Sequence, residues 1–219
     1  MNTFSEENYL KAIYKIEQTA SNHASTNAIA DNLNTKPSSV SDMLKKLSDK
    51  ELIRYKKYQG VSLTDQGKKI AINTIRKHRL WEFFLVNHLE FSWDEVHDLA
   101  EDLEHIQSEK LINNLEKFLG FPKFDPHGDP IPDQHGNIIQ HQDISLSDLS
   151  ISETGTIVGV KEHSATFLKF LEDNHLVIGT KVQVIKHFEF DDSLLISVNK
   201  QSEIMISNKV SKNLYIKSQ

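Results

Sequence analysis

Cysteine is absent from this 219-residue chain. That excludes disulfides and thiolate metal sites, so any bound metal is held by nitrogen and oxygen. No apolar run approaches the roughly 18 residues that a membrane span requires. The opening Met1-Asn2-Thr3-Phe4-Ser5-Glu6-Glu7 lacks the basic start and apolar stretch of a secretion signal, so cytoplasmic placement is expected. Proline is scarce, and four of the five fall in residues 121–143, which marks that stretch as loop or linker. H-E-x-x-H, Walker-type loops and G-x-S-x-G are also missing, which argues against a metal-dependent hydrolase and against a small organic substrate. What is present, 38% hydrophobic and 26% charged residues, suits a globular chain of one large domain or two to three small ones.

Charge is unevenly placed. Residues 1–80 carry 14 Lys and Arg against 8 Asp and Glu, whereas residues 81–160 carry 3 against 16. A basic head followed by an acidic middle points to a polyanion for the first and cations for the second.

The apolar spacing predicts a helix over residues 5–19, a short one opened by Thr26 and running to Leu33, and a third entered at Pro37. Two alternating segments, Leu52–Lys57 and Val61–Thr64, flank Gln59-Gly60 as a hairpin. Helix, helix, turn, helix, hairpin is the order of a winged helix-turn-helix. A long helix follows from Thr64 to about His88. Another is expected from Ser92, where Ser92-Trp93-Asp94-Glu95 has capping-box form. Ser108 caps a helix over Glu109–Leu119, which Gly120 ends. From Ile151 the pattern turns to strands at Thr156–Val160, Lys181–Lys186, Leu194–Val198 and Ile204–Ile206, with a helix at Ala165–Asp173. The expected fold is mainly α with a small barrel-like β domain. The boundaries are 1–72 (the winged helix-turn-helix), 73–143 (helical, with the proline-rich loop) and 144–219 (the β domain).

In the third helix Val40, Met43, Leu44 and Leu47 form the buried stripe. Ser38, Ser39, Ser41, Asp42, Lys45 and Lys46 then face outward, where small hydroxyls and ammonium groups can meet base edges and phosphates. Thr26, Lys36 and Pro37 flank this face, and Arg54, Lys56 and Lys57 of the hairpin suit neighbouring phosphates. Double-stranded DNA is the expected partner.

The metal chemistry begins with Glu101, Glu104 and His105, whose i, i+3, i+4 spacing would stack three donors on one helix face. His78 and Glu82 repeat the i, i+4 pattern. Asp125 and His127 lie in the proline-rich loop, and Glu162 comes much later. Carboxylate and imidazole without thiolate suit Mn²⁺, with Fe²⁺ as the alternative.

The stretches Asn8-Tyr9-Leu10-Lys11-Ala12-Ile13-Tyr14, Pro37-Ser38-Ser39-Val40-Ser41, Leu63-Thr64-Asp65-Gln66-Gly67, Arg76-Lys77-His78-Arg79-Leu80 with Glu82, and His97 through His105 resemble the iron- and manganese-dependent repressors typified by the diphtheria toxin repressor and the manganese transport regulator. Pro126-His127-Gly128-Asp129-Pro130-Ile131-Pro132 resembles the longer members, whose C-terminal domain is SH3-like. The resemblance implies a homodimeric, metal-dependent transcriptional repressor of metal-homeostasis genes. It implies a regulatory site at Asn8, Glu101, Glu104 and His105 with His78 nearby. It also implies an accessory site at Glu82, Asp125, His127 and an acidic residue of the last domain, for which Glu162 is taken and His163 is the rival. His97 is a ligand in iron-type members. Three departures stand out. Asn8 replaces Asp or Met and brings no charge. Lys11 replaces the Glu of short manganese-type members, which argues against a two-manganese arrangement there. Asp125 stands where cysteine is common. The expected mechanism is a metal that ties the first helix to the central helices and so sets the spacing of two reading heads. Leu99, Leu103, Leu111, Ile112, Leu115 and Phe118 are expected in a dimer seam or a monomer core. The competing reading is a metal-indifferent winged-helix protein whose acidic middle binds a protein partner.

Overall fold

Helices dominate the first half of this chain and strands the last third. The computed structural model describes residues 2–19, 24–56, 60–139 and 144–218. The elements are α1 (Phe4–Thr19), α2 (Thr26–Asn32), α3 (Pro37–Asp49), β1 (Ile53–Lys56), β2 (Gly60–Leu63), α4 (Asp65–Leu89), α5 (Val96–Leu103), α6 (Glu109–Phe118), β3 (Ile144–Ser145), β4 (Thr154–Val160), α7 (Ala165–Asp173), β5 (Lys181–Phe188), β6 (Ser193–Val198), β7 (Ser202–Ile206), α8 (Asn208–Lys212) and β8 (Leu214–Ser218). They group into two compact units. One comprises Met1–His78, Glu101–Leu115 and Pro132–Ile138; the other comprises Arg79–Ala100, Glu116–Ile131 and Ile139–Gln219.

The first unit is the winged helix-turn-helix with the chain that returns to it. Thr3 and Glu6 open α1 as a reciprocal capping pair: the Glu6 N–H donates to Thr3 Oγ1 at 3.3 Å and the Thr3 N–H to Glu6 Oε2 at 3.0 Å. Leu10 and Ile13 of α1, Ile29 of α2, and Val40, Leu44 and Leu47 of α3 close one apolar core with Val61 and Ala71. The cap of α2 is Ser25, whose Oγ accepts the Ala28 N–H, and not Thr26, which sits one residue inside the helix. Pro37 occupies the first turn of α3, where its missing N–H has no helical partner to lose. β1 and β2 pair antiparallel from Ile53 with Leu63 to Lys56 with Gly60, and Ala24 bridges to Val61. Thr64 Oγ1 accepts the Gly67 N–H at 3.2 Å and so opens α4. Gly67 is required because any Cβ there would collide with the Leu52 carbonyl.

The second unit carries a six-stranded antiparallel sheet in the order β3-β8-β4-β5-β6-β7. Ile157, Val182, Val184, Leu194, Ile196, Val198 and Ile216 point into its core together with Leu168 and Leu171 of α7 and the Trp93 ring. Trp93 explains why α5 begins at Val96 rather than at Ser92. Residues 93–95 form a turn that delivers the indole to this core, while Glu95 Oε2 accepts the Ser92 N–H at 3.3 Å. At its other end α5 stops at Leu103, so Glu104 and His105 lie in the turn after the helix and not on its face. β3, α8 and β8 were not anticipated from sequence. Residues 140–143 of the expected loop lie outside the described residues.

Candidate metal centres and nucleic-acid interface

On α3, Val40, Leu44 and Leu47 are fully buried and Met43 is half-buried. This leaves Ser38, Ser39, Asp42, Lys45 and Lys46 exposed and Ser41 half-buried, its Oγ donating to the Pro37 carbonyl at 3.0 Å. Lys36, Pro37 and Arg54 are exposed, and Thr26 is half-buried. The two lysines are not equivalent. Lys45 stands 3.6 Å from Asp42 on the open surface, whereas Lys46 reaches Glu6 at 3.0 Å. Glu6 is fully buried and also accepts from Lys50 Nζ at 2.8 and 2.9 Å. Burial alone would raise the Glu6 pKa; Lys50, Lys46 and the Thr3 N–H outweigh it and hold the group down at about 2. Lys46 therefore braces α3 against α1 as well as presenting charge. The Lys56 side chain and Lys57 lie outside the described residues.

A second constellation lies in the same unit, where α1 meets α4 and the turn after α5. Lys11 Nζ is 2.5 Å from Glu101 Oε1 and 2.6 Å from Glu104 Oε2. His78 Nδ1 is 2.7 Å from Glu104 Oε2. His105 Nδ1 is 2.7 Å from Glu7 Oε2; with the proton on that nitrogen, the ring turns its Nε2 lone pair toward Glu104 Oε1, 3.8 Å away. Gln107 Nε2 donates to Glu7 Oε1 at 2.9 Å, and the Phe4 ring stacks on His105. Lys77 Nζ lies 3.9 Å from Glu7; burial depresses its pKa against the pull of Glu7 and Glu104. Two buried oxygens here, Asn8 Oδ1 and Glu104 Oε1, meet no hydrogen-bond donor among the described residues. Two carboxylates, imidazole and an orphaned amide oxygen are a donor set that fits a divalent ion. Asn8, His78, Glu101, Glu104 and His105 thus share one neighbourhood. Glu7 and Lys77 belong to it too and were missed. The available signal was the spacing of Glu7 and Lys11, two opposite charges at i, i+4 on one face of α1.

The other unit holds a separate group. Glu82 of α4 and Asp125 and His127 of the proline-rich loop are all buried, and one donor atom from each lies within 4.8 Å of the others. His127 Nδ1 is 3.7 Å from Glu82 Oε2 and 4.0 Å from Asp125 Oδ1, which are ion-pair rather than hydrogen-bond separations. The opposite ring nitrogen, Nε2, donates to the Trp93 carbonyl at 2.8 Å, which leaves Nδ1 facing the carboxylates. The loop is shaped by Asp125, whose Oδ1 accepts the N–H groups of His127 and Asp129. It is pinned to β4 where the Val160 N–H donates to the His127 carbonyl at 2.9 Å.

Burial first, then the charges of Glu82 and Asp129, push Asp125 up to about 7 against the pull of Arg79 and His127. Burial would lower His127, yet the Glu82 and Asp125 carboxylates and the Trp93 carbonyl raise it to about 9. Asp129 is held below its usual value because Arg79 outweighs its burial, with Arg79 Nη2 at 2.7 Å. A buried excess of carboxylate that recruits protons is a pocket suited to a cation. His97 lies beside it, with Nδ1 3.5 Å from Glu82 Oε1. Glu162 is not brought into the group; its Oε1 accepts the Ser164 N–H at 3.3 Å. The neighbouring His163 is the residue at hand, its ring 5.1 Å from that of His127.

Of the six apolar residues expected in a seam or core, Ile112 and Leu115 are buried, Leu103 is half-buried, and Leu99, Leu111 and Phe118 are exposed. No described helix is long and apolar enough to cross a membrane.

Three family models match the chain: "Iron dependent repressor, N-terminal DNA binding domain" over residues 1–61, "Iron dependent repressor, metal binding and dimerisation domain" over 64–133, and "FeoA domain" over 144–218. The iron-dependent repressor IdeR of Mycobacterium tuberculosis is 35% identical over 126 residues, 58% of this chain and 54% of that protein. The chain thus spans about half the length of that relative. The transcriptional regulator MntR of Oceanobacillus iheyensis is 34% identical over 125 residues, 57% of this chain and 84% of that protein. Among solved structures, a manganese-dependent transcriptional repressor in complex with manganese superposes with a TM-score of 0.87 at 29% identity, covering 98% of this chain and 100% of the other. The manganese regulator SloR superposes with a TM-score of 0.76 at 33% identity, covering 98% of each chain.

Proposed function

The chain belongs to the iron-dependent repressor family, and from that premise we propose that it is a homodimeric, metal-dependent transcriptional repressor of metal-homeostasis genes, responding to Mn²⁺ or, alternatively, Fe²⁺. The observation that carries this reading is the constellation that joins α1, part of the DNA-reading core, to the turn after α5 through Glu7, Asn8, Lys11, Glu101, Glu104 and His105. It acts as a regulator and not as an enzyme. The domain division is 1–72, 73–143 and 144–219.

The regulatory ligands are Asn8, Glu101, Glu104 and His105, with His78 against Glu104. The second centre uses Glu82, Asp125 and His127, with His97 beside it and with the neighbour of His127, His163, in place of Glu162. A bound divalent ion supplies a charge that several carboxylates and imidazoles can share. What the chain supplies is position. Glu7 orients the His105 ring, the Trp93 carbonyl orients His127, and the Asp125 turn sets the loop. Fixing α1 fixes α3, because Glu6 of α1 holds Lys46 and Lys50. In a dimer joined through an exposed apolar residue of the same unit such as Leu111, that holds two copies of α3 about one DNA turn apart, roughly 34 Å. Ser38, Ser39, Ser41, Asp42 and Lys45 then face the major groove, and Arg54 faces phosphate.

The test is operator binding measured with and without Mn²⁺ or Fe²⁺. Tighter binding with metal is expected, and loss of that response in Glu104→Gln. Equal affinity in both conditions would overturn the reading.

A further inference from the structure

Lys11 lies where a bound cation belongs. Its ammonium group meets both clustered carboxylates, at 2.5 Å from Glu101 and 2.6 Å from Glu104, and its side chain is only 6% exposed. Glu104 is fully buried, so in the absence of metal its charge needs a partner from within the chain. His78 and Lys11 both contact its Oε2. The groups facing this space are Glu7, Glu101 and Glu104 on the acidic side, Lys11 and Lys77 on the basic side, and Asn8, His78 and His105. With three carboxylates and two ammonium groups, one divalent ion in addition makes the site net positive; the same ion with Lys11 withdrawn leaves it balanced. The neutral amide at Asn8 fits this arithmetic, since a carboxylate there would add a fourth negative charge.

We propose that Lys11 is a tethered competitor for the regulatory metal: its ammonium group fills the Glu101–Glu104 pair in the metal-free chain, and a divalent ion binds there only by displacing it. The inference deepens the proposed function and rests on it. Lys11 holds α1 to the turn after α5 through a lysine stem that is flexible enough to swing aside. The lysine therefore sets the metal concentration at which the site fills. Removing its charge lowers that concentration.

The experiment compares the wild-type chain with Lys11→Met and Lys11→Arg, each also carrying Glu82→Gln to silence the other centre. Mn²⁺ binding is followed by calorimetry and by the loss of free-ion paramagnetic resonance. Lys11→Met is expected to bind Mn²⁺ at least about tenfold more tightly than wild type, because a like charge within a few ångströms is removed. Its metal-free melting temperature is expected to fall and its rise on saturation with Mn²⁺ to exceed that of wild type. Lys11→Arg keeps the charge and should retain the wild-type affinity. Unchanged or weaker Mn²⁺ binding in Lys11→Met, or equal tightening in Lys11→Arg, overturns the inference. Lys11→Gln replaces Lys11→Met in the same comparison should the latter fail to fold. Operator binding by wild type separates the two levels. A metal-responsive wild type with no effect of Lys11→Met removes this inference alone, whereas operator affinity indifferent to Mn²⁺ removes the proposed function and the inference with it.

Discussion

Metal binding by Glu82, Asp125 and His127 should be read out in protons. A divalent ion requires His127 with a bare Nδ1 and Asp125 as the carboxylate. Without metal, His127 holds its proton up to about pH 9 and Asp125 up to about pH 7. At pH 7 the ion therefore displaces between about one and two protons, one from the imidazole and a fraction of one from the carboxyl. At pH 6 the number approaches about two and at pH 8 about one, so the apparent affinity climbs between one and two decades per pH unit over this range. Stability of the metal-free chain runs the other way. Both groups have folded-state values above their unfolded ones, 6.5 for His127 and 3.8 for Asp125. The stabilisation from His127 is complete below its unfolded value and is lost as pH rises through 9; for Asp125 it is lost as pH rises through 7. The rise in melting temperature on adding Mn²⁺ should consequently grow from pH 6 to pH 8. The assay is calorimetric titration with Mn²⁺ in paired buffers of different ionisation enthalpy, in a Glu101→Gln background that leaves this centre alone. Heats that do not depend on the buffer, or an affinity flat across pH 6 to 8, would refute the reasoning.

Three further outcomes can be checked. Glu6→Gln keeps the acceptor for the Thr3 N–H but drops the charge that holds Lys46 and Lys50. A displacement from 4.5 to about 2 converts to about 3 kcal/mol, reduced to about 1–2 kcal/mol because both lysine heads are partly in water. In urea melts wild type should lose this advantage as pH falls from 4.5 toward 2, and a loss that is independent of pH would contradict it. Gly128→Ala meets a backbone with φ +89 and places its Cβ against the Val158 carbonyl; a loss of at least about 2 kcal/mol is expected, and wild-type stability would show that the loop does not depend on this contact. Lys45→Ala should weaken operator binding uniformly across sequences and lower the salt slope by about one, with no change in melting temperature; Lys46→Ala should lower both, and equal effects of the two would discount the Glu6 brace.

Periodic elements were the most legible part of the chain. The α7 boundaries, the Val40–Leu44–Leu47 stripe and the Gly120 stop follow from local pattern and agree with the structure. β3, α8 and β8 did not follow, because short strands such as Ile144–Ser145 and Leu214–Ser218 are fixed by partners far away in sequence. The start of α5 was misplaced for a similar reason: a valid capping signal at Ser92 lost to the burial of Trp93 in a core assembled by distant strands. In the inter-helix constellation Glu101, Glu104 and His105 were readable as a spacing, although the last two lie in the turn after α5 and not on its face, and Asn8 was named only through the family resemblance. The roles of Glu7 and Lys11 were not readable, since each depends on what faces α1 from residues about a hundred positions later. Glu162 and His163 differ by one position, and no pattern in the sequence separates them.

The contact between Trp93 and His127 has one more consequence. The two rings stack at 6.0 Å with planes 13° apart, and only one other tryptophan exists in the chain. Indole emission is quenched by a charged imidazole and by a paramagnetic neighbour. With Trp81→Phe in the background, light from Trp93 alone thus reports whether the pocket beside it holds a proton or an ion, without any dye.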